Sequence, residues 1–324
     1  MGEQAEDDAP SDDLPLWQRR WHELVTPVSI LAAGLAVLLT LLVFQDWAAA
    51  RPRFLRGLRV GFLLFTLIYL GWVLSAQLSV INVLTFVNAL LTGFRWEFFL
   101  LEPMIFLLWS FVAVALLFWG RGVFCGWLCP FGALQELLNR VARALRLPQL
   151  SLPFAVNERL WPLKYVIFLG LLAVSLGPFS MTTTLAEIEP FKTTISLKFL
   201  RAWPFVAYAV GLLVVSLFVQ RVFCRYLCPL GGALAIPSRT RMFEWLKRRR
   251  QCSTECHICA VTCPVQAIHP DGAINPHECI FYLDCQSLYY DDHKCPPLIE
   301  RRKRREARRE RRRQRLAEKE GNRS

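Results

Sequence analysis

Five apolar runs, at about 27–45, 59–78, 102–120, 163–180 and 203–220, are each close to the roughly 20 residues that cross the hydrocarbon of a bilayer. Inside lipid no water satisfies a backbone N–H or C=O, so runs of this kind fold as helices. Of 324 residues 54% are hydrophobic although the last quarter is plainly polar, so the apolar residues are concentrated upstream. The expected fold class is an α-helical polytopic membrane protein with about five transmembrane helices.

A sixth stretch, "INVLTFVNALLTGF" at 81–94, is shorter than the roughly 17 residues a span requires, and Asn82 and Asn88 interrupt it. It is expected to lie at the membrane interface. The acidic start "MGEQAEDDAPSDDLP" lacks the basic region that precedes a cleavable signal, so the first span reads as an anchor.

Loops that stay in the cytoplasm keep Lys and Arg. Arg51, Arg53, Arg56 and Arg59 lie between the first two spans, Arg121, Arg140, Arg143 and Arg146 follow the third, and Arg221 and Arg225 follow the fifth. With five spans these regions share one side, the cytoplasm. The N-terminus and the segments near 79–101 and 181–202 then face the periplasm, despite Arg19 and Arg20.

Two copies of one motif, "VFCGWLCPFG" at 123–132 and "VFCRYLCPLG" at 222–231, close the third and fifth spans. Matching flanks suggest a duplicated half-unit, which places Cys125, Cys129, Cys224 and Cys228 at a common depth on the cytoplasmic edge. Four thiols there could form redox pairs or a shared metal or cluster site. The plainer alternative is four separately buried small side chains, since cysteine is among the most buried residue types.

Seven of the eleven cysteines lie between 252 and 295. Cys252, Cys256, Cys259 and Cys263, followed by Pro264, form C-x3-C-x2-C-x3-C-P, one residue longer at its first gap than the bacterial ferredoxin run. A reducing compartment disfavours disulfides. Zinc would suit one group of four, but the sequel "PVQAIHPDGAINPHEC" returns through a D-G turn to another cysteine. That link resembles the one between the halves of a two-cluster ferredoxin, a small α+β domain.

In such ferredoxins the fourth cysteine of each run serves the other cluster. The resemblance therefore implies one 4Fe-4S cluster on Cys252, Cys256, Cys259 and Cys295, and a second on Cys263, Cys279 and Cys285. The second set is one thiolate short, because Tyr282 stands where the family has its middle cysteine. It implies either a 3Fe-4S cluster or a 4Fe-4S cluster whose fourth iron takes Tyr282, Asp284 or His293.

Together with the spans, the segments "RGVFCGWLCPFGALQELLN" (121–139), "LAEIEPFKTTISLKFLRAWPFVAYA" (185–209), "FCRYLCPLGGALAIPSR" (223–239) and the cluster segment through "YYDDHKCPP" resemble the NosR/NirI family of membrane iron–sulfur proteins. The NapH-type polyferredoxins are wider kin. Members typically begin with a periplasmic flavin-binding domain, whereas about 26 polar residues precede the first span here and no S/T-G-A-T flavinylation sequence occurs. No flavin is expected in this chain.

The implied domains are a polar arm at 1–26, a transmembrane domain at 27–250, a ferredoxin-like domain at 251–299 and a basic tail at 300–324. The implied role is electron delivery across the bacterial inner membrane for maturation or maintenance of nitrous oxide reductase, a periplasmic copper enzyme. A separate flavoprotein or other redox partner is expected. The alternatives are an assembly factor for the copper enzyme and a membrane-bound regulator of its expression.

None of the five histidines lies inside a span, so no haem is expected there. Nothing resembles a hydrolytic or transferase site, and an electron-transfer component without its own substrate is expected. From Glu300 the tail holds thirteen Lys or Arg against five Glu, a surplus of eight out of a whole-chain charge of +12. No base-reading module accompanies it, so the expected partner is anionic lipid rather than nucleic acid.

Overall fold

A computed structural model describes residues 15–93, 96–176, 186–252 and 256–322. The acidic residues 1–14, the end of the 163–180 run and residues 181–185 of the segment near 181–202 lie outside them.

The main helices of the apolar domain are α1 (Val25–Val43), α2 (Pro52–Phe65, continued by wider π-type turns over Thr66–Val73), α3 (Val80–Thr92), α4 (Pro103–Phe118), α5 (Pro130–Ala144), α6 (Pro162–Ser175), α7 (Trp203–Phe218), α8 (Val222–Tyr226) and α9 (Pro229–Ala235). Proline opens α2, α4, α5, α6, α7 and α9, where the first-turn N–H has no intrahelical partner to lose.

Two helical segments, Val25–Val43 and Pro52–Val73, are long and apolar enough to cross a bilayer. The other three expected spans are represented by shorter helices. At 16 residues, α4 and α7 reach only about 24 Å, short of the roughly 30 Å of hydrocarbon. Of the 81–94 stretch, residues up to Thr92 belong to helix α3, capped by Ser79, which packs against α6 and α9.

The two motif copies exchange neighbours. Helix α5, which follows the first copy, packs on α7, the helix that precedes the second; α9, which follows the second, packs on α6 and α3. Gln135 Nε2 donates to Ser216 Oγ at 2.8 Å, and Asn139 Nδ2 reaches the carbonyls of Ser216 and Leu217. Every residue from Arg121 to Ala133 is buried.

At the centre of this packing Glu136 is fully buried with three arginines. Arg59 from α2 grips it with two bonds of 2.8 Å, Arg221 donates at 2.7 Å, and Arg140 one turn along α5 donates at 3.0 Å. Arg59, Arg121, Arg221 and Arg225, counted above among loop charges, are all buried ion-pair or hydrogen-bond partners.

The ferredoxin-like domain carries short helices α10 (Ile258–Thr262) and α11 (Asp284–Tyr290), packed together, and leads into the 26-residue helix α12 (Pro296–Gly321). Its expected α+β character amounts, among the described residues, to one antiparallel bridge between Ile268 and Ile274. The intervening D-G turn uses Gly272 at φ +84°, a conformation glycine adopts without a Cβ clash.

Burial alone would raise the pKa of Glu136, but the charges of Arg59, Arg221 and Arg140 outweigh it and hold the carboxyl far below its ordinary value. Removing one partner of a buried ion pair costs about 3–5 kcal/mol, and Glu136→Gln is expected to lose stability of that order in denaturant titrations of the detergent-solubilised protein. A carboxyl with a depressed pKa contributes fully above its unfolded value, about 4.3, and its contribution is lost as pH falls below that. The gap between wild type and variant should therefore close in that acid window. An equal gap at all pH values would show that the ionised form is not what the variant removes.

Candidate functional site

The seven cysteines of the ferredoxin-like domain line two separate cavities. Cys252, Cys256, Cys259 and Cys295 line one, walled by Ile258, Leu288, Tyr289 and Pro296, with Arg248 and Lys294 at its rim. The other is lined by Cys263, Cys279 and Cys285 among Leu246, Val265, Ile274 and Ile280. Local structure explains the gathering. Helix α10 carries Cys259 and ends at Cys263, α11 carries Cys285, and Cys295 immediately precedes α12. The Cys259 thiol also reaches the Cys285 carbonyl at 3.8 Å, which ties the two cavities together.

Both cavities suit a group held by soft thiolates. Burial pushes the Cys279 thiol up to about 11 and raises that of Cys285 as well, so ionising them requires a bound cation, and loading releases protons. Among the described residues no three His, Cys, Asp or Glu side chains converge tightly enough for a single metal ion.

Of the three residues considered for the missing thiolate, Tyr282 and Asp284 line the second cavity. The Tyr282 hydroxyl is 3.2 Å from Arg140 Nη2, and its ring lies under the Arg59 guanidinium at 4.0 Å. Asp284 precedes Cys285, and burial raises its pKa against the pull of Arg59 and Arg140. His293 is exposed and pairs with Asp292 and Arg302, outside that cavity.

The second cavity abuts the apolar domain through the first motif copy. Trp127 Nε1 donates to the Phe281 carbonyl at 3.0 Å. A Cβ on Gly126 would stand 1.9 Å from the Ile280 oxygen, and one on Gly122 2.7 Å from the Cys279 oxygen. Only glycine permits that approach. Where the first copy has Gly126 the second has Arg225, which donates to Asn157 and, at 2.7 Å, to Gln266, three residues beyond Cys263. Glu278, next to Cys279, is buried between Lys164 Nζ at 2.6 Å and Arg121 Nη2 at 3.3 Å.

Sequence reasoning missed these polar contacts. Lys164 sits inside an apolar run and Glu278 beside a cysteine, which is the only signal that either residue offered. The four motif cysteines are buried or, for Cys224, half-buried. Each second cysteine caps the helix that follows it: Cys129 Sγ accepts the Gly132 N–H at 3.4 Å, and Cys228 Sγ accepts the Gly231 N–H at 3.3 Å.

A helical base that carries two cysteine-lined cavities in a ferredoxin-like domain defines an iron–sulfur protein. The family model described as NosR matches residues 250–306, and that described as 4Fe-4S binding domain matches residues 101–148 and 201–252. Over 291 residues the chain is 58% identical to the regulatory protein NosR of Pseudomonas aeruginosa strain PAO1, covering 90% of this chain and 41% of that protein. It is 52% identical over 293 residues to the protein NirI of Paracoccus denitrificans, covering 90% and 43%. A shorter NosR sequence from Pseudomonas aeruginosa is 62% identical over 82 residues, covering 25% of this chain and 82% of that sequence. The chain belongs to the NosR/NirI family, and it spans about two fifths of the length of the full-sized relatives. No solved structure matches it.

Gly126→Ala is expected to force the ferredoxin-like domain off the first motif copy. Overpacking a close contact costs about 1–3 kcal/mol, so the stretch at 241–250, which is neither helix nor strand and leads into the ferredoxin-like domain, should be cut on the order of tenfold faster in limited proteolysis. Gly57→Ala, where a Cβ meets nothing within 4 Å, is the matched control. Equal cutting rates in the two variants would mean that the domain is not seated through Gly126.

Proposed function

We propose that the chain is a membrane-bound electron-transfer protein whose ferredoxin-like domain holds two iron–sulfur clusters. The observation that carries this reading is the sorting of seven cysteines into two cavities, four lining one and three the other. When bound, such clusters supply one-electron redox chemistry. Cys252, Cys256, Cys259 and Cys295 hold the first. Cys263, Cys279 and Cys285 hold the second, and Asp284 is the residue we assign to its fourth iron, because the Tyr282 hydroxyl is already engaged by Arg140.

The protein's own residues set the order of the relay. The first cavity opens beside Arg248 and Lys294, near the exposed basic helix α12, and suits exchange with a soluble or flavin-containing partner. The second lies against the buried Glu278–Lys164–Arg121 knot and faces the apolar domain. Apolar side chains exposed on the outer faces of α1, α6 and α7, among them Ile30, Val37, Val166, Leu169 and Val214, support immersion in lipid. The family resemblance supplies the destination, which is delivery of electrons in support of a periplasmic nitrous oxide reductase.

Iron and sulfide analysis of anaerobically purified full-length protein tests this reading. Cys256→Ala should remove about four irons. Asp284→Ala should leave a three-iron EPR signal that Tyr282→Phe does not produce. If Cys256→Ala and Cys279→Ala both leave iron content unchanged, the ferredoxin-like domain carries no clusters and the proposal fails. The exposed basic residues that remain once the buried arginines are set aside, Arg51, Arg53, Arg56, Arg143, Arg146 and those of the tail, support a periplasmic N-terminus and cytoplasmic clusters. Reporter fusions at Gly2 and Ser324 that put both ends on one side would reverse that placement.

A further inference from the structure

Arg225 is a buried cation without a counter-ion. Among the described residues the other buried cations are paired: Arg59 and Arg221 meet Glu136, and Arg121 and Lys164 meet Glu278. Arg225 meets no carboxylate. Its Nη2 donates to the side-chain oxygens of Asn157 at 2.5 Å and Gln266 at 2.7 Å, both neutral amides, and its Nε finds no acceptor among the described residues. The Tyr226 hydroxyl donates to the same Asn157 oxygen at 2.6 Å. A neutral donor would satisfy these two amides without the penalty of burying a charge, so hydrogen bonding alone does not account for an arginine here.

The guanidinium is tied to the turn that carries Cys263. The Gln266 N–H donates to the Cys263 carbonyl at 3.1 Å, and the Ala267 N–H donates to Cys263 Sγ at 3.4 Å. Gln266 holds a left-handed φ of +50° in that turn, and its side chain is fixed at both ends, Oε1 by Arg225 and Nε2 by the Leu152 carbonyl at 2.9 Å. Its neighbours Val265 and Ala267 line the second cavity together with Cys263. The Arg225 charge and the Cys263 thiol accordingly sense each other. A cluster held there by three thiolates and a carboxylate is anionic, and reduction makes it more so. In a buried site of low dielectric a nearby cation stabilises that charge more strongly than in water.

We infer that Arg225, held by Asn157 and Gln266 against the Cys263 turn, is the counter-charge of the second cluster and favours its reduced form. It acts as a positioning residue, through its field and through Gln266. One electron arrives from the cluster of the first cavity, no bond is made or broken, and the added negative charge meets a guanidinium already in place. Net charge and hydrogen bonding are among the quantities that set the potential of such a centre. The two motif copies thus serve the second cavity in different ways at equivalent positions: Gly126 admits the Ile280 backbone, and Arg225 supplies charge. The inference rests on the two-cluster reading of the ferredoxin-like domain.

Redox titrations of anaerobically purified full-length protein, followed by EPR, read the two clusters separately. Arg225→Met should lower the reduction equilibrium constant of the second cluster about tenfold, equivalent to about 59 mV for one electron, and leave the first cluster unchanged. Arg225→Lys keeps the charge and should stay within about threefold of wild type. Asn157→Asp gives Arg225 the carboxylate it lacks in a side chain of the same shape, and it should reproduce the Arg225→Met shift at full iron content. An unshifted second cluster in either assembled variant overturns the inference, as does an Arg225→Lys shift as large as that of Arg225→Met, which would assign the effect to the guanidinium's bonds rather than its charge. Should Arg225→Met fail to assemble, Asn157→Asp decides alone. Iron content that does not fall in Cys279→Ala shows that there is no second cluster and sinks the two-cluster reading along with this inference, whereas normal iron with unshifted potentials sinks the inference only.

Discussion

A carboxylate shut away from water holds the two halves of the apolar domain together. Glu136 comes from the helix after the first motif, Arg221 from the turn before the second, and Arg59 from a helix far earlier in the chain. Each ion would be expensive to bury alone, so the four-residue group including Arg140 is stable only when all its members arrive. That requirement sets the register of α5 against α2 and the entry to α8. Through them it sets where Cys125, Cys129, Cys224 and Cys228 can stand.

A second buried knot repeats the logic at the domain boundary. Glu278 belongs to the ferredoxin-like domain, while Lys164 and Arg121 belong to the apolar one. Its position next to Cys279 means that the contact seating the domain also positions a candidate ligand. The glycines at 122 and 126 complete the fit by letting backbone meet backbone. The duplicated motif has diverged on this face: Gly126 in one copy admits Ile280, and Arg225 in the other reaches Gln266. One copy thus serves close approach and the other hydrogen bonding, while both retain the cysteines and the capping glycine.

Much of the ferredoxin-like domain was legible in the cysteine spacing, because ligands of one cluster must lie within a few turns of chain or return at a fixed distance. The sets Cys252, Cys256, Cys259 and Cys295, and Cys263, Cys279 and Cys285, are the sets that line the two cavities. The roles of Tyr282 and Asp284 were not legible. Nothing in "CIFYLDC" indicates that the phenol turns toward Arg140 and Arg59 while the carboxyl remains at the cavity. The arginines were read only as charges that avoid translocation, a one-dimensional rule blind to whether a guanidinium at the end of an apolar run points outward to water or inward to a glutamate.

By itself the sequence determined the helical class, the family and the grouping of cysteines, since hydrophobic run length and ligand spacing are local properties of a chain. Only the tertiary structure decided that Arg59, Arg121, Arg221 and Lys164 are buried, that the arginine before each motif copy reaches the backbone of the other, and that the second cavity rather than the first touches the apolar domain. These are pairings between residues up to 157 positions apart. Their energies depend on mutual burial, and a buried charge is tolerable only beside a partner that sequence order does not name.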